Sequence, residues 1–98
     1  MRLILYSKPG CHLCEGLQEK LQQIQSLSFD LEIRDITTRE DWFEAYQYEI
    51  PVLLLDRSPI SSSPQLLRLP RPSPRASVPQ LERMLQTYWT EFEKNETQ

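Results

Sequence analysis

Long apolar runs are missing from this chain: no stretch of its 98 residues approaches the length needed to cross a bilayer. Positive charge is not in excess either. Lys and Arg number 11 against 14 Asp and Glu, a formal net charge of -3. No basic cluster marks one face, so nucleic acid is not the expected partner. The opening MRLILYSKPG is too short in apolar residues for a secretory signal core, and no small-residue cleavage site follows it. A cytoplasmic location is therefore expected, with no membrane partner. The length suits one compact domain spanning 1–98, with a single core.

Cysteine and histidine are scarce as well. The chain has two cysteines and one histidine, all within Tyr6–Cys14, YSKPGCHLC. Two cysteines placed at random in a chain of this length fall three apart roughly 2% of the time, so chance is a weak account of the spacing. A purely structural disulfide would close too small a loop to stabilise the fold much. In a reducing compartment a cysteine pair points instead to catalysis or metal binding. Tetrahedral zinc needs four ligands, and His12, lying between Cys11 and Cys14, is poorly placed to face the same ion. A c-type haem site needs histidine directly after the second cysteine, where Glu15 stands. No metal site is expected from these residues.

The rest of the chain alternates between two periods. The run Arg2–Tyr6, followed by Ser-Lys-Pro-Gly, suggests a buried strand and a turn. Leu13, Leu17, Leu21, Ile24 and Leu27 then recur at steps of four and three, which predicts an amphipathic helix of about four turns starting near Cys11. In FDLEIRDI, Phe29, Leu31 and Ile33 alternate with Asp30, Glu32 and Arg34, the pattern of a half-buried edge strand. A capping box, Thr37 with Glu40 or Thr38 with Asp41, opens a short helix whose Trp42, Ala45 and Tyr46 share a face. IPVLLLD, Ile50–Asp56, reads as a central strand with its proline at the first position.

After Asp56 the composition shifts to proline and serine. QLLRL within that segment suggests a strand paired with the preceding one, the serine-rich stretch forming the hairpin tip and Pro70–Pro74 a polyproline-like rim. Arg68, Arg71 and Arg75 read either as a basic rim for an acidic partner or, the favoured reading, as a solubilising loop. Ser77 with Gln80 forms a second capping box. Leu81, Met84, Leu85, Tyr88 and Phe92 then mark a last helix, ending in the polar tail KNETQ. The order is β-α-β-α-β-β-α. The first two strands are parallel through a right-handed crossover, and the last two form an antiparallel hairpin. The expected class is α/β: a four-stranded mixed sheet with helices available for both faces.

Cys11 thus falls at a strand end and a helix start. Free N–H groups and the positive end of the helix dipole favour thiolate there, lowering its pKa from the ordinary value of about 8.5. Cys14 lies one turn further in and deeper. An exposed thiolate backed by a buried thiol suits disulfide exchange, with Cys11 attacking and Cys14 resolving. Protonated His12 would stabilise the thiolate further, or His12 is only an exposed turn residue. Glu15 reads as a first-turn acid complementing the dipole.

LILYSKPGCHLC before a helix, with IPVLLLD about forty residues on, resembles the glutaredoxin-like branch of the thioredoxin superfamily. The element order matches that fold over nearly the whole chain. The resemblance implies that Cys11 is the nucleophile and Cys14 the resolving cysteine of a thiol–disulfide oxidoreductase. It implies a cis bond at Pro51 facing the pair, with the backbone of Ile50 offered to a bound peptide or glutathione. Tyr6 and Lys8 match positions flanking the glutathione pocket. One feature departs from the family. A Gly-Gly turn with an acidic residue should follow the second hairpin strand, and LRLPRPSPRAS stands there instead. Weak or no binding of glutathione is therefore expected, with glutathione at most a co-substrate. The expected partners are protein or small-molecule disulfides, met by a monomer. Two other roles for the same fold are an iron–sulfur protein and a redox-inert adaptor.

Overall fold

The computed structural model describes residues 2–56 and 66–96, with side chains described as far as Glu91. The elements are β1 (Arg2–Ser7), α1 (His12–Gln22), β2 (Asp30–Asp35), a 3₁₀ turn (Ile36–Thr38), α2 (Glu40–Tyr46), β3 (Val52–Asp56), β4 (Leu66–Arg68) and α3 (Val78–Glu96). The order is the one expected. The four strands lie as β2-β1-β3-β4. β1 runs parallel to β2 and antiparallel to β3, and β3 pairs antiparallel with β4. Parallel neighbours need a crossover, and α1 supplies it.

Central position explains the two unbroken apolar runs. β1 and β3 are covered on both faces, so neither alternates. Leu3, Leu5, Leu53 and Leu55 point to one face, where they meet Leu17 and Leu21 of α1 and Leu81 and Leu85 of α3. Ile4, Tyr6, Val52 and Leu54 point to the other, beneath Ile36 and the α2 residues Trp42 and Tyr46. At one end of the sheet Arg2 ties three strands together. Its Nε donates to Asp56 Oδ2 at 3.0 Å and its Nη1 to Glu32 Oε1 at 3.0 Å. The register pairs Tyr6 with Val52. The end of β1 and the start of β3 therefore share the opposite edge, where the cysteines lie.

Several local expectations are corrected. α1 has three turns, not four, and closes at Gln22, although Ile24 beyond it is still buried and Leu27 still packs on the core. Its buried stripe is Cys14, Leu17 and Leu21, while Leu13 is 49% exposed. Cys14, itself apolar enough to bury, takes the place on the stripe given to Leu13. No capping box opens α2: its N-cap is Arg39, without a side-chain cap bond. Asp35 instead caps the 3₁₀ turn, accepting from the backbone N–H of Thr37 at 2.9 Å and its hydroxyl at 2.6 Å. Those bonds, the hydroxyl's first, hold the Asp35 carboxyl below its ordinary range.

Further along the chain, Ala45 is exposed. The polar face of β2 is only partly solvated: Asp30 is exposed, but Arg34 is half-buried. Arg34 lies over the rings of Tyr6 and Trp42, because α2 covers that face. α3 runs through Glu96, into the expected tail. The serine-rich hairpin tip and the side chain of Phe92 lie outside the described residues.

The second capping box is present in both halves. Ser77 N–H donates to Gln80 Oε1 at 2.8 Å, and Gln80 N–H donates to Ser77 Oγ at 3.2 Å. Ser77→Ala should cost about 1 kcal/mol. In a domain of this size that lowers Tm by roughly 4–8 °C, readable by thermal circular dichroism.

The two glycines should respond in opposite senses. Gly10 has φ +82 and Gly16 no positive φ. A Cβ at either meets no atom within 4 Å, so only backbone preference counts. Gly10→Ala should destabilise by roughly 1–2 kcal/mol, while Gly16→Ala, inside a helix, should stabilise by about 0.5–1 kcal/mol. Denaturant titration of both variants checks the signs.

Candidate functional site

The site begins with a turn. Cys11 N–H donates to the carbonyl of Lys8 at 3.1 Å, closing Lys8-Pro9-Gly10-Cys11. Proline at the second position and a positive-φ glycine at the third are what a type II turn requires. The turn delivers Cys11 to the N-cap of α1 in an extended conformation, φ -85 and ψ 101. A serine or threonine oxygen usually fills the capping role. Here Cys11 Sγ accepts from Cys14 N–H at 3.2 Å. Cys11 carbonyl accepts from Glu15 N–H at 3.0 Å, the first helical bond.

Cys11 and Cys14 are joined as a disulfide with Cα atoms 5.3 Å apart. The pair is asymmetric: Cys14 is 1% exposed, whereas Cys11 is only half-buried. An incoming thiolate therefore meets the Cys11 sulfur first. In the reduced protein, the N–H that caps Cys11 would donate to its thiolate, a charge-assisted bond at the positive end of the helix.

His12 points outward, 95% exposed, with Nδ1 3.8 Å from Glu15 Oε2. Lys8 is exposed, and its backbone holds the turn. The Ile50–Pro51 bond is cis, and Pro51 is buried. The backbone of Ile50 is engaged within the chain. Its N–H donates to Tyr46 carbonyl at 3.1 Å, and its carbonyl accepts from Arg71 Nη2 at 3.0 Å. Tyr6 is 5% exposed on the α2 face. Its hydroxyl accepts from Arg34 Nη1 at 2.8 Å, and its ring meets those of Trp42 and Tyr46. Tyr6 thus backs the site from the core and lends no surface to it.

Two clefts meet at Pro51. One, of about 160 Å³, lies between the exposed side of α1 and the segment after β4, lined by His12, Leu13, Gly16, Pro51, Arg71 and Pro72 among others. The other, of about 320 Å³, runs from Pro51 to Tyr48 and Arg68. The proline-rich wall is clipped on by cations. Lys20 Nζ donates to the carbonyls of Pro74 and Ala76 at 2.7 and 2.6 Å. Arg71 donates to the carbonyls of both Glu49 and Ile50. Arg68 pairs with Glu49 at 2.8 Å.

A solubilising loop is therefore the wrong description of this arginine series, because two of its three members brace the proline loop. Gly16, a glycine inside a helix, is the sequence signal for the cleft.

The family profile described as Glutaredoxin-like domain (DUF836) matches residues 2–86. Among curated proteins, none matches the chain. Of solved structures, the chain is similar to target protein XcR50 from X. campestris. Identity is 28% and the TM-score 0.54, over 87% of this chain and 96% of that one. The architecture is a thioredoxin-like fold. On the strength of a match across most of its length, the chain belongs to the glutaredoxin-like domain family.

Proposed function

We propose that the protein is a thiol–disulfide oxidoreductase in which Cys11 is the nucleophile and Cys14 the resolving cysteine. The observation that carries this reading is the capping bond from Cys14 N–H to Cys11 Sγ, made at a helix N-terminus by the more exposed sulfur of the pair. In the reduced protein Cys11 thiolate attacks one sulfur of a substrate disulfide. The other sulfur leaves as a thiolate and takes a proton from solvent. The mixed disulfide is then broken by Cys14, which gives up its proton to solvent, attacks Cys11 Sγ as the thiolate and expels the second substrate thiolate. Two electrons pass to the substrate, and the Cys11–Cys14 disulfide remains for an external dithiol to reduce. Lys8, Ile50 and Pro51 flank the substrate, a protein or small-molecule disulfide. The cytoplasm, where such a dithiol pool is available, is the compartment this chemistry suits.

Alkylation tests the assignment. In the reduced protein, iodoacetamide should modify Cys11 before Cys14, with a midpoint pH below that of a free thiol, as read by mass spectrometry. Cys14→Ser should accumulate the mixed disulfide at Cys11. Faster labelling of Cys14 would reverse the roles.

His12 should modulate the couple weakly. Imidazolium beside the thiolate stabilises the reduced form, so His12→Ala should lower the reduction potential. At 95% exposure the interaction is solvent-screened. On the scale of exposed ion pairs, about 0.2–1 kcal/mol, the shift is roughly 4–20 mV. Redox titration against a thiol buffer measures it.

Glutathione should be a poor substrate. The Gly-Gly turn is missing and the Ile50 N–H is already committed to Tyr46. Losing charge-assisted bonds of about 1.5–3 kcal/mol each would weaken binding by orders of magnitude. A glutathione mixed-disulfide assay beside a dithiol-exchange assay should give low turnover in the first and clear turnover in the second.

A further inference from the structure

Resting on the oxidoreductase reading, we propose that the cleft beside the disulfide seats a bulky apolar side chain adjacent to the target cysteine of an acidic polypeptide segment. Three independent features meet there. The first is size and lining. An apolar cavity of about 150 Å³ accommodates a benzene ring, and this cleft offers about 160 Å³ between Leu13, Leu17, Pro51 and Pro72. That is room for one side chain rather than for a whole cofactor. It opens next to His12, one residue from the attacking sulfur, so a residue adjacent to the target cysteine reaches it.

The second feature is Gly16. It lies inside α1, without the positive φ that would call for glycine, and a Cβ there would meet no atom within 4 Å. Neither backbone geometry nor packing within the chain requires glycine, and a helix interior disfavours it. Gly16 lines the cleft. A bare stretch of helix backbone at that point keeps the floor open to a side chain from outside, a sacrifice of stability for access.

The third feature is charge. Although the whole chain is acidic, the cleft is bordered by Lys20 and Arg71, whose hydrogen bonds among the described residues all go to backbone carbonyls. Their charges are held in place and left uncompensated, since a carbonyl satisfies a donor without neutralising it. A substrate carboxylate beside the apolar side chain supplies the missing charge.

Four peptides test the proposal, each carrying one cysteine as a mixed disulfide with 2-mercaptoethanol. Its neighbours are Phe-Asp, Ala-Asp, Phe-Lys or Ala-Lys. Single-turnover reduction by the reduced protein should be fastest for Phe-Asp, by tenfold or more over Ala-Lys. The Asp-over-Lys ratio should fall as salt is raised, a readout that needs no variant. Gly16→Leu should bring the Phe-over-Ala ratio toward one, and Arg71→Glu should invert the Asp-over-Lys ratio. Equal rates for all four peptides would overturn the proposal while leaving the oxidoreductase reading intact. No reduction of any of them would overturn both. A Phe preference that survives Gly16→Leu in a folded protein would place the apolar subsite elsewhere and overturn it as well.

Discussion

The bond from Cys14 N–H to Cys11 Sγ depends on the chain turning sharply between β1 and α1, and most of the site follows from that turn. An N-cap residue must be extended while the next is helical. Four residues achieve the change here: Pro9 fixes one φ, Gly10 supplies the positive one, and the Lys8 carbonyl closes the loop on Cys11. Once Cys11 is the cap, helical geometry puts Cys14 one turn on, with its N–H aimed back at the sulfur. The i, i+3 spacing then does two things together. It gives the first sulfur a hydrogen-bond donor, and it puts the second within bonding distance but inside the core. The asymmetry between the two sulfurs needs no further residue. It follows from one sulfur preceding the helix and the other lying in it.

The second half of the site comes from the sheet. β1 and β3 are antiparallel neighbours, so the segment entering β3 starts at the edge where β1 ends. Pro51 is the last residue before that strand. Its neighbours are held from two sides: by the end of α2, whose Tyr46 carbonyl takes the Ile50 N–H, and by Arg71 on the segment leaving β4. The buried faces make this edge rigid. Leu3, Leu5, Leu53 and Leu55 pack under α1 and α3, while Ile4, Tyr6, Val52 and Leu54 pack under α2. Tyr6 contributes at a distance, by filling the space under α2 and fixing Arg34.

Element order and the place of the cysteine pair at a helix start were legible because they rest on period and spacing. Two unbroken apolar runs could only be central strands, and a change from period two to period three-to-four marked each helix. The misreadings share a physical cause. A run of leucines at helical spacing does not say which member starts the buried stripe, and Cys14, not Leu13, starts it here. Thr37 and Thr38 offered capping boxes, but Asp35, an equally good cap two residues earlier, captured the Thr37 N–H for a 3₁₀ turn. Arg34 looked solvated by alternation, since nothing in β2 itself says that α2 will cover that face. Arg71 was unreadable for another reason. Its partners are backbone carbonyls twenty-odd residues away, and carbonyls leave no trace in a sequence.

That last case shows how the proline-rich segment works. The segment after β4 carries Pro70, Pro72 and Pro74 and can contribute little to a ladder, because each proline removes a donor. Among the described residues β4 spans Leu66–Arg68. The wall beyond it needs another means of attachment, and long cations provide it. Lys20 reaches from α1 to the carbonyls of Pro74 and Ala76, and Arg71 reaches back to those of Glu49 and Ile50. Prolines keep their carbonyls, so the segment is rich in acceptors and poor in donors, the complement of lysine and arginine. The same clips that hold the wall also bring fixed positive charge to the border of the cleft. Attachment and electrostatics thus have one origin, and a chain with net negative charge presents cations at the border of this cleft.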